Sequence, residues 1–331
     1  MTPAPATPTA APRTTRPGRR SAVLLAAAAL VTLALVVTSL FVGVYDLRAE
    51  GGGEMFFITR IPRTLALVLA GSAMAVSGLV LQQLTQNRFV EPTTSGTSEW
   101  AALGLLLSVL LMPTAGITTR MIVASLSAFV GTLVFLAVLR RVQVRETLVV
   151  PVVGIMLGAV VSSLTTLIAI QTNYLQLLGT WFMGSFTSVV RGQYEVLWVV
   201  AAVCVAIFVL ADRLTVAGLG REVATNLGVR YDRLLLIGTA LVAVASGVTT
   251  VVVGFLPFLG LVVPNVVSML RGDDLRSNLP WVCLGGIALV TACDIVGRVV
   301  RMPFEVPVAM ILGLVGAAAF VALVLRVQRR G

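Results

Sequence analysis

Residues 21–44 run for 24 positions without a charged side chain, and comparable apolar runs recur to the end of the chain. A hydrocarbon slab about 30 Å thick is crossed by about 20 apolar residues as a helix, or by about 9–11 residues as a barrel strand. Runs of this length therefore specify helices, the one open-ended structure that satisfies its own backbone in lipid. Composition agrees, with 58% hydrophobic residues, 11% charged residues and a mean hydropathy of +1.01, where soluble domains carry about 25% charged residues. At about 20 residues a span, the 331 residues allow about eight to ten crossings. The expected fold is all-α: one transmembrane domain over 21–331 with ten helices and both termini cytoplasmic.

The segment 1–20, rich in Pro, Thr and Ala with Arg13, Arg16, Arg19 and Arg20, is expected to be a disordered cytoplasmic tail. A signal peptide has an apolar region of about 7–15 residues, so the longer run at 21–44 is expected to be a retained first span. Residues 45–57 read as an external glycine-rich loop. Further spans are expected at 60–85, 101–112, 120–139, 147–170, 195–211, 279–297 and 306–325, with a short interfacial helix within 171–194. Residues 234–270 would make a single helix of about 55 Å; Gly254 and Pro257 are expected to divide them into a full span and a shorter helix containing Pro264. Gly71, Ala75 and Gly78, and again Gly154, Gly158 and Ser162, set small residues on one helix face for close packing. The second set could also form a pathway wall.

All 24 basic residues are arginine. With the N-terminus inside, 17 of them fall on the inner side, including the clamp Arg140, Arg141 and Arg145, and 7 on the outer, as positive-inside orientation requires. The net charge of +10 thus orients the chain against lipid headgroups and does not point to nucleic acid. Cys204, Cys283 and Cys293 lie in apolar runs at no ligand spacing, and histidine is absent, removing the commonest transition-metal ligand. No GxxxxGK[ST] loop occurs and there is no lysine, so the chain has no ATP site of its own.

Seven of the 23 residues of 211–233 are charged, between two greasy runs. Val223, Ala224 and Leu227 recur at helical spacing, and Gly228 is placed to end that helix in the left-handed conformation. Such a helix is either a plain connection or a handle for a soluble partner.

Seven stretches, taken in order, resemble the permease subunit of type II ABC importers, the family for iron-siderophore, haem and vitamin B12 uptake. They are Arg60-x-Pro62-Arg63; Gln83-x-x-x-Asn87 with Pro92 and Gly96; Trp181-x-x-Gly184-Ser185; Leu219-Gly220 with Ala224 and Leu227-Gly228; Gly254-Phe255 with Gly260-Leu261-Val262-Val263-Pro264; Asp294-x-x-x-Arg298; and Glu305-x-Pro307. Pro264-Asn265-Val266-Val267-Ser268 departs from the commonest version, which continues with His and Arg. That variant, and the one after Asn87, resemble the branch for catecholate-type siderophores such as enterobactin, anguibactin and petrobactin.

The resemblance implies a coupling element at Gly220, Arg221, Glu222, Val223, Ala224, Leu227 and Gly228, docked on cytoplasmic ATPase subunits that supply the hydrolysis. It implies that Arg60, Arg63 and Arg298 meet acidic groups of an extracytoplasmic siderophore-binding protein; interfacial anchoring is the plainer reading. It implies an inner gate at Asn87 and Phe89, against a simple helix-ending turn, and structural roles for Pro264, Asn265, Ser268, Asp294 and Pro307. A second permease, identical or related, would complete the pathway, and no cofactor is expected on this chain. Haem or vitamin B12 is the alternative cargo. An ion-coupled secondary transporter is the rival class, for which mid-membrane ionisable groups are the usual mark.

Overall fold

The computed structural model describes residues 19–43, 52–141 and 149–328. Residues 1–18 of the expected tail, 44–51 of the glycine-rich loop, Arg145 of the basic clamp, and Arg329 and Arg330 lie outside the described residues. Among the described residues, eight helices are long and apolar enough to cross a membrane. They comprise α1 (Arg19–Phe41), α3 (Ile61–Thr85), α5 (Ile117–Arg141), α6 (Val149–Gln171), α8 (Trp198–Gly218), α10 (Tyr231–Val252), α12 (Leu275–Val299) and α13 (Val308–Gln328). Two shorter apolar helices, α4 (Thr97–Leu111) and α11 (Leu259–Arg271), bring the apolar helices to the ten expected. α2 (Gly52–Met55) and a π-helical turn (Phe56–Arg60) lead into α3, so the end of the expected external loop is helical. α7 (Leu175–Phe182) is the expected short helix, and α9 (Arg221–Asn226) lies inside the charged stretch.

The helix through α3 is the axis of the bundle. In its most apolar window 83% of residues are buried within the protein, against 11% for α1, which lies at the edge. α3 packs on α12, α8, α11 and α10, and its small residues allow the close approach. A Cβ on Gly71 would press on the Gly286 carbonyl and on Val290 of α12, while one on Gly78 would overlap Gly260 of α11. Gly154 and Gly158 likewise make room for the backbone of residues 94–96. Both stripes pack protein against protein.

α4 and α11 span only about 22 Å and 20 Å, short of the slab thickness. A helix end at that depth is tolerated where it is buried in protein, and α11 buries eight of its residues. The division of 234–270 falls at 253–258, with Gly254 at φ +91°. There Trp181 O faces the missing Cβ of Gly254, Ser185 N donates to Val253 O (2.9 Å), and Ala309 N donates to Gly184 O (3.2 Å).

Two expected boundaries are corrected. The first helix begins at Arg19, inside the expected tail, because nothing at residues 19–20 breaks a helix. The sixth span does not end at 211: α8 continues to Gly218, burying Ala211, Leu214 and Ala217 at helical spacing. Asp212 and Arg213 sit on its exposed side, so the charge there marks an amphipathic helix end rather than a loop.

Filling the α3–α11 contact tests this packing. Gly78→Val overpacks a rigid backbone contact and should cost more than the ~1–3 kcal/mol typical of added core methylenes. It should lower the thermal midpoint of the detergent-solubilised protein, while Gly179→Ala, with open space at its Cβ, should leave it unchanged.

Candidate functional site

α9 closes off the ends of α8 and α10. Gly220 (φ +101°) leads into it and Gly228 (φ +77°) ends it, with Gly228 N donating to Thr225 O and Val229 N to Ala224 O, both at 2.9 Å. Val223 and Leu227 are exposed (44% and 62%), but Ala224 is fully buried. This corrects the expected three-residue contact face: Ala224 at its inner edge faces the bundle, and only Val223 and Leu227 are left outward. Glu222 is exposed, and Arg221 pairs with Asp232 (3.0 Å), which Arg140 also approaches (3.4 Å).

The turn between α3 and α4 is fastened to α11. Pro264 has no N–H, so within α11 the carbonyl of Gly260 lacks its helical donor; Gln82 Nε2 donates to it instead (3.2 Å). Asn265 Nδ2 donates to Leu261 O and across to Arg88 O, both at 2.7 Å. Ser268 O accepts from Gly272 N (2.8 Å), ending the helix. Glu91, fully buried, accepts from Phe258 N (2.8 Å) and from the Thr93 hydroxyl (2.5 Å), with the Gly260 amide and Leu261 amide beside it. The Glu91 carboxyl thus caps the otherwise open N-terminus of α11. Burial pushes this carboxyl up to about 7 against the downward pull of the Thr93 hydroxyl and the three amides. Asn87 Oδ1 accepts from Phe89 N (2.9 Å), an Asx turn that ends α3. Phe89 is buried edge-on to Phe320 of α13, with ring centroids 5.7 Å apart.

At the other end of α3 and α12 the arginines converge. Arg63 contacts Asp294 Oδ1 (2.7 Å) and both Glu305 oxygens (2.9 and 3.0 Å). Arg298 meets Asp294 Oδ2 (2.5 Å), Ser39 O (2.8 Å) and Val42 O (2.7 Å), and Arg60 donates to Val42 O as well. The Thr187 hydroxyl donates to Glu305 Oε2 (2.6 Å). Burial would raise the Glu305 carboxyl, but Thr187 and the Arg63 guanidinium outweigh it and hold it below its ordinary value. Pro307 starts the chain into α13, its carbonyl accepting from Met310 N (3.1 Å).

This arrangement corrects the picture of exposed docking arginines. Arg60 and Arg298 are 8% and 3% exposed, and Arg63 is held by two carboxylates. Asp294 and Glu305 draw the guanidiniums inward because a charge at a helix end beneath a folded turn is stable only when paired. Arg60, Arg63, Arg298 and Glu305 line a cavity of about 550 Å³.

Sequence reasoning passed over Glu91, although it stands within the Asn87–Pro92 stretch and an acid beside a proline-containing turn is unusual in so apolar a chain. Nor did it reach Thr187 and Ser39, whose roles depend on distant partners.

The model of the FecCD transport family matches residues 22–326. The petrobactin import system permease protein of Bacillus anthracis is 54% identical over 303 residues, covering 91% of each chain. The ferric-anguibactin transport system permease protein of Vibrio anguillarum is 39% identical over 304 residues, covering 90% of this chain and 97% of the relative. A solved structure described as an inward-facing metal-chelate type ABC transporter superposes with a TM-score of 0.77 at 24% identity, covering 92% of this chain and 98% of that one. The all-α membrane fold and the family resemblance read from the sequence are both borne out.

Two measurements check the site. Asp294→Asn leaves buried Arg298 without its counter-charge and should cost about 3–5 kcal/mol, seen as a lowered thermal midpoint. Asp294→Leu with Arg298→Met, which removes both charges, should recover most of the loss. For Glu91, the raised pKa means that the folded chain holds the proton more tightly than the unfolded one. Its contribution is full below about pH 4.5 and is lost as pH rises through about 7. Melting at pH 5 and pH 8 should show wild type losing more stability across that interval than Glu91→Gln.

Proposed function

Since the chain belongs to the FecCD transport family, we propose that it is the membrane-spanning permease of an ABC importer that carries a ferric siderophore into a bacterial cell. The single observation that carries the mechanism is α9, a short helix with exposed Val223 and Leu227 at the ends of two long helices. A push on α9 passes directly into α8 and α10, which pack on the axial helix α3. ATPase subunits on the cytoplasmic side grip α9 through Val223 and Leu227, with Arg221 and Glu222 at the rim; Ala224 seats the helix on the bundle. The chain hydrolyses nothing itself.

On the opposite side a siderophore-binding protein approaches the cavity above Arg60, Arg63 and Arg298. Charge pairing across such a rim favours encounter and orientation more than affinity. A second permease, identical or related, covers the exposed apolar helices and completes a pathway that opens to one side at a time. Phe89, braced on Phe320, links the inner turn to α13 and serves as the inner gate with Asn87. The metal stays chelated throughout, so the wall needs no metal ligands and can release a bulky cargo as readily as it admits it. The relatives named for petrobactin and anguibactin support a siderophore as cargo, and we take it to be of the catecholate type.

Uptake of radiolabelled iron on several siderophores, in cells with and without the gene, tests this reading. Deletion should abolish uptake of one catecholate-type chelate. Val223→Asp with Leu227→Asp should do the same while the permease is still made and its ATPase subunits no longer co-purify. Loss of haem or vitamin B12 entry with intact iron uptake would overturn the cargo.

A further inference from the structure

Between the last turns of α8 and the first turns of α10 lies a pocket of about 320 Å³. Both helices line it in the same order. On α8, Leu210 stands one turn deeper than Arg213; on α10, Ile237 stands one turn deeper than Arg233, and Arg230 closes the rim from the preceding link. The floor is therefore aliphatic and the rim cationic.

The rim charges have no internal neutralisation. Arg213, Arg230 and Arg233 are exposed and form no ion pair among the described residues. Asp212 pairs with Arg276 and Asp232 with Arg140 and Arg221, while Glu222 lies exposed on α9 outside the pocket lining. No acid lines the pocket. Three guanidiniums around so small a volume repel one another until an anion sits between them, in contrast to the far end of the bundle, where Asp294 and Glu305 do that work. Around the pocket the helix surfaces are apolar, with Val209 and Leu236 exposed at 74% and 48%.

We propose that this pocket is a binding site for an anionic phospholipid, with the headgroup phosphate held by Arg213, Arg230 and Arg233 and the acyl chain starting along Leu210 and Ile237. Basic pockets between spanning helices at a membrane surface suit such headgroups. The vertical order of charge above hydrocarbon matches an amphiphile rather than a free anion, which would leave the aliphatic floor unused. Binding there would pin the ends of the two helices that carry α9.

The test uses the assembled importer, extracted and placed in phosphatidylcholine nanodiscs containing a minor fraction of phosphatidylglycerol. Native mass spectrometry then counts the phosphatidylglycerol retained. Retention should fall about fivefold for each arginine changed to glutamine and roughly a hundredfold in the Arg213→Gln/Arg230→Gln/Arg233→Gln protein, with ATPase subunits still bound. Arg191→Gln, outside the pocket, should change nothing. If the triple variant fails to assemble, Leu210→Trp, which fills the floor and leaves every charge in place, should show the same loss. Undiminished retention in these variants would overturn the proposal. So would displacement of the lipid by inorganic phosphate, or loss of the ATPase subunits with the lipid still held, which would make the arginines a protein contact.

Discussion

A helical backbone that stops inside an apolar slab must find hydrogen-bond partners from elsewhere in the protein, since neither water nor lipid can supply them at that depth. In this chain the constraint is sharpest at 253–260, where α10 ends, the chain reverses hand at Gly254 and Phe258, and α11 begins. Each side of the break is served by a different part of the sequence. Glu91 takes the Phe258 amide, Gln82 fills the carbonyl that Pro264 leaves vacant, and Ser185 and Ala309 tie the neighbouring 181–185 turn to the break and to α13. Four separated stretches are thereby held in one place.

The two ends of the bundle treat positive charge differently. At one end three arginines are drawn under a folded turn and matched by Asp294 and Glu305. The pairs there fasten α3 to α12 and to the turn before α13, so they act first on shape. At the α9 end the acids are fewer than the arginines, and two of them are engaged across helices, Asp212 with α12 and Asp232 with α5. The surplus charge faces outward beside hydrocarbon-like surface. One end is suited to a fixed architecture and the other to partners that come from outside the chain.

α9 depends on both features. Its glycines set its direction, Ala224 seats it, and only Leu219 and Gly220 separate it from α8, because α8 persists to Gly218; residues 227–230 lead on to α10. A helix joined so closely to a long one transmits displacement better than one hung on a polar linker. Buried Phe89 and half-buried Phe320 lie on the route from the α3–α4 turn to α13, so movement of the axial helix reaches the outer helices through packed side chains.

The sequence by itself determined the solvent, the helical class, the number of apolar segments, the break near Gly254 and the short helix before Gly228. Each follows from run length, period or backbone freedom, which are local properties. It also placed the arginine and acid motifs at helix ends, but not what they touch. Whether Arg298 faces water or Asp294, whether Ala224 faces a partner or the bundle, and that Glu91 caps a helix 167 positions away depend on which segments lie side by side. Only the tertiary structure decided those pairings, because the partners are distant in sequence and a buried charge or open helix end is satisfied by whatever the packing brings within hydrogen-bond reach.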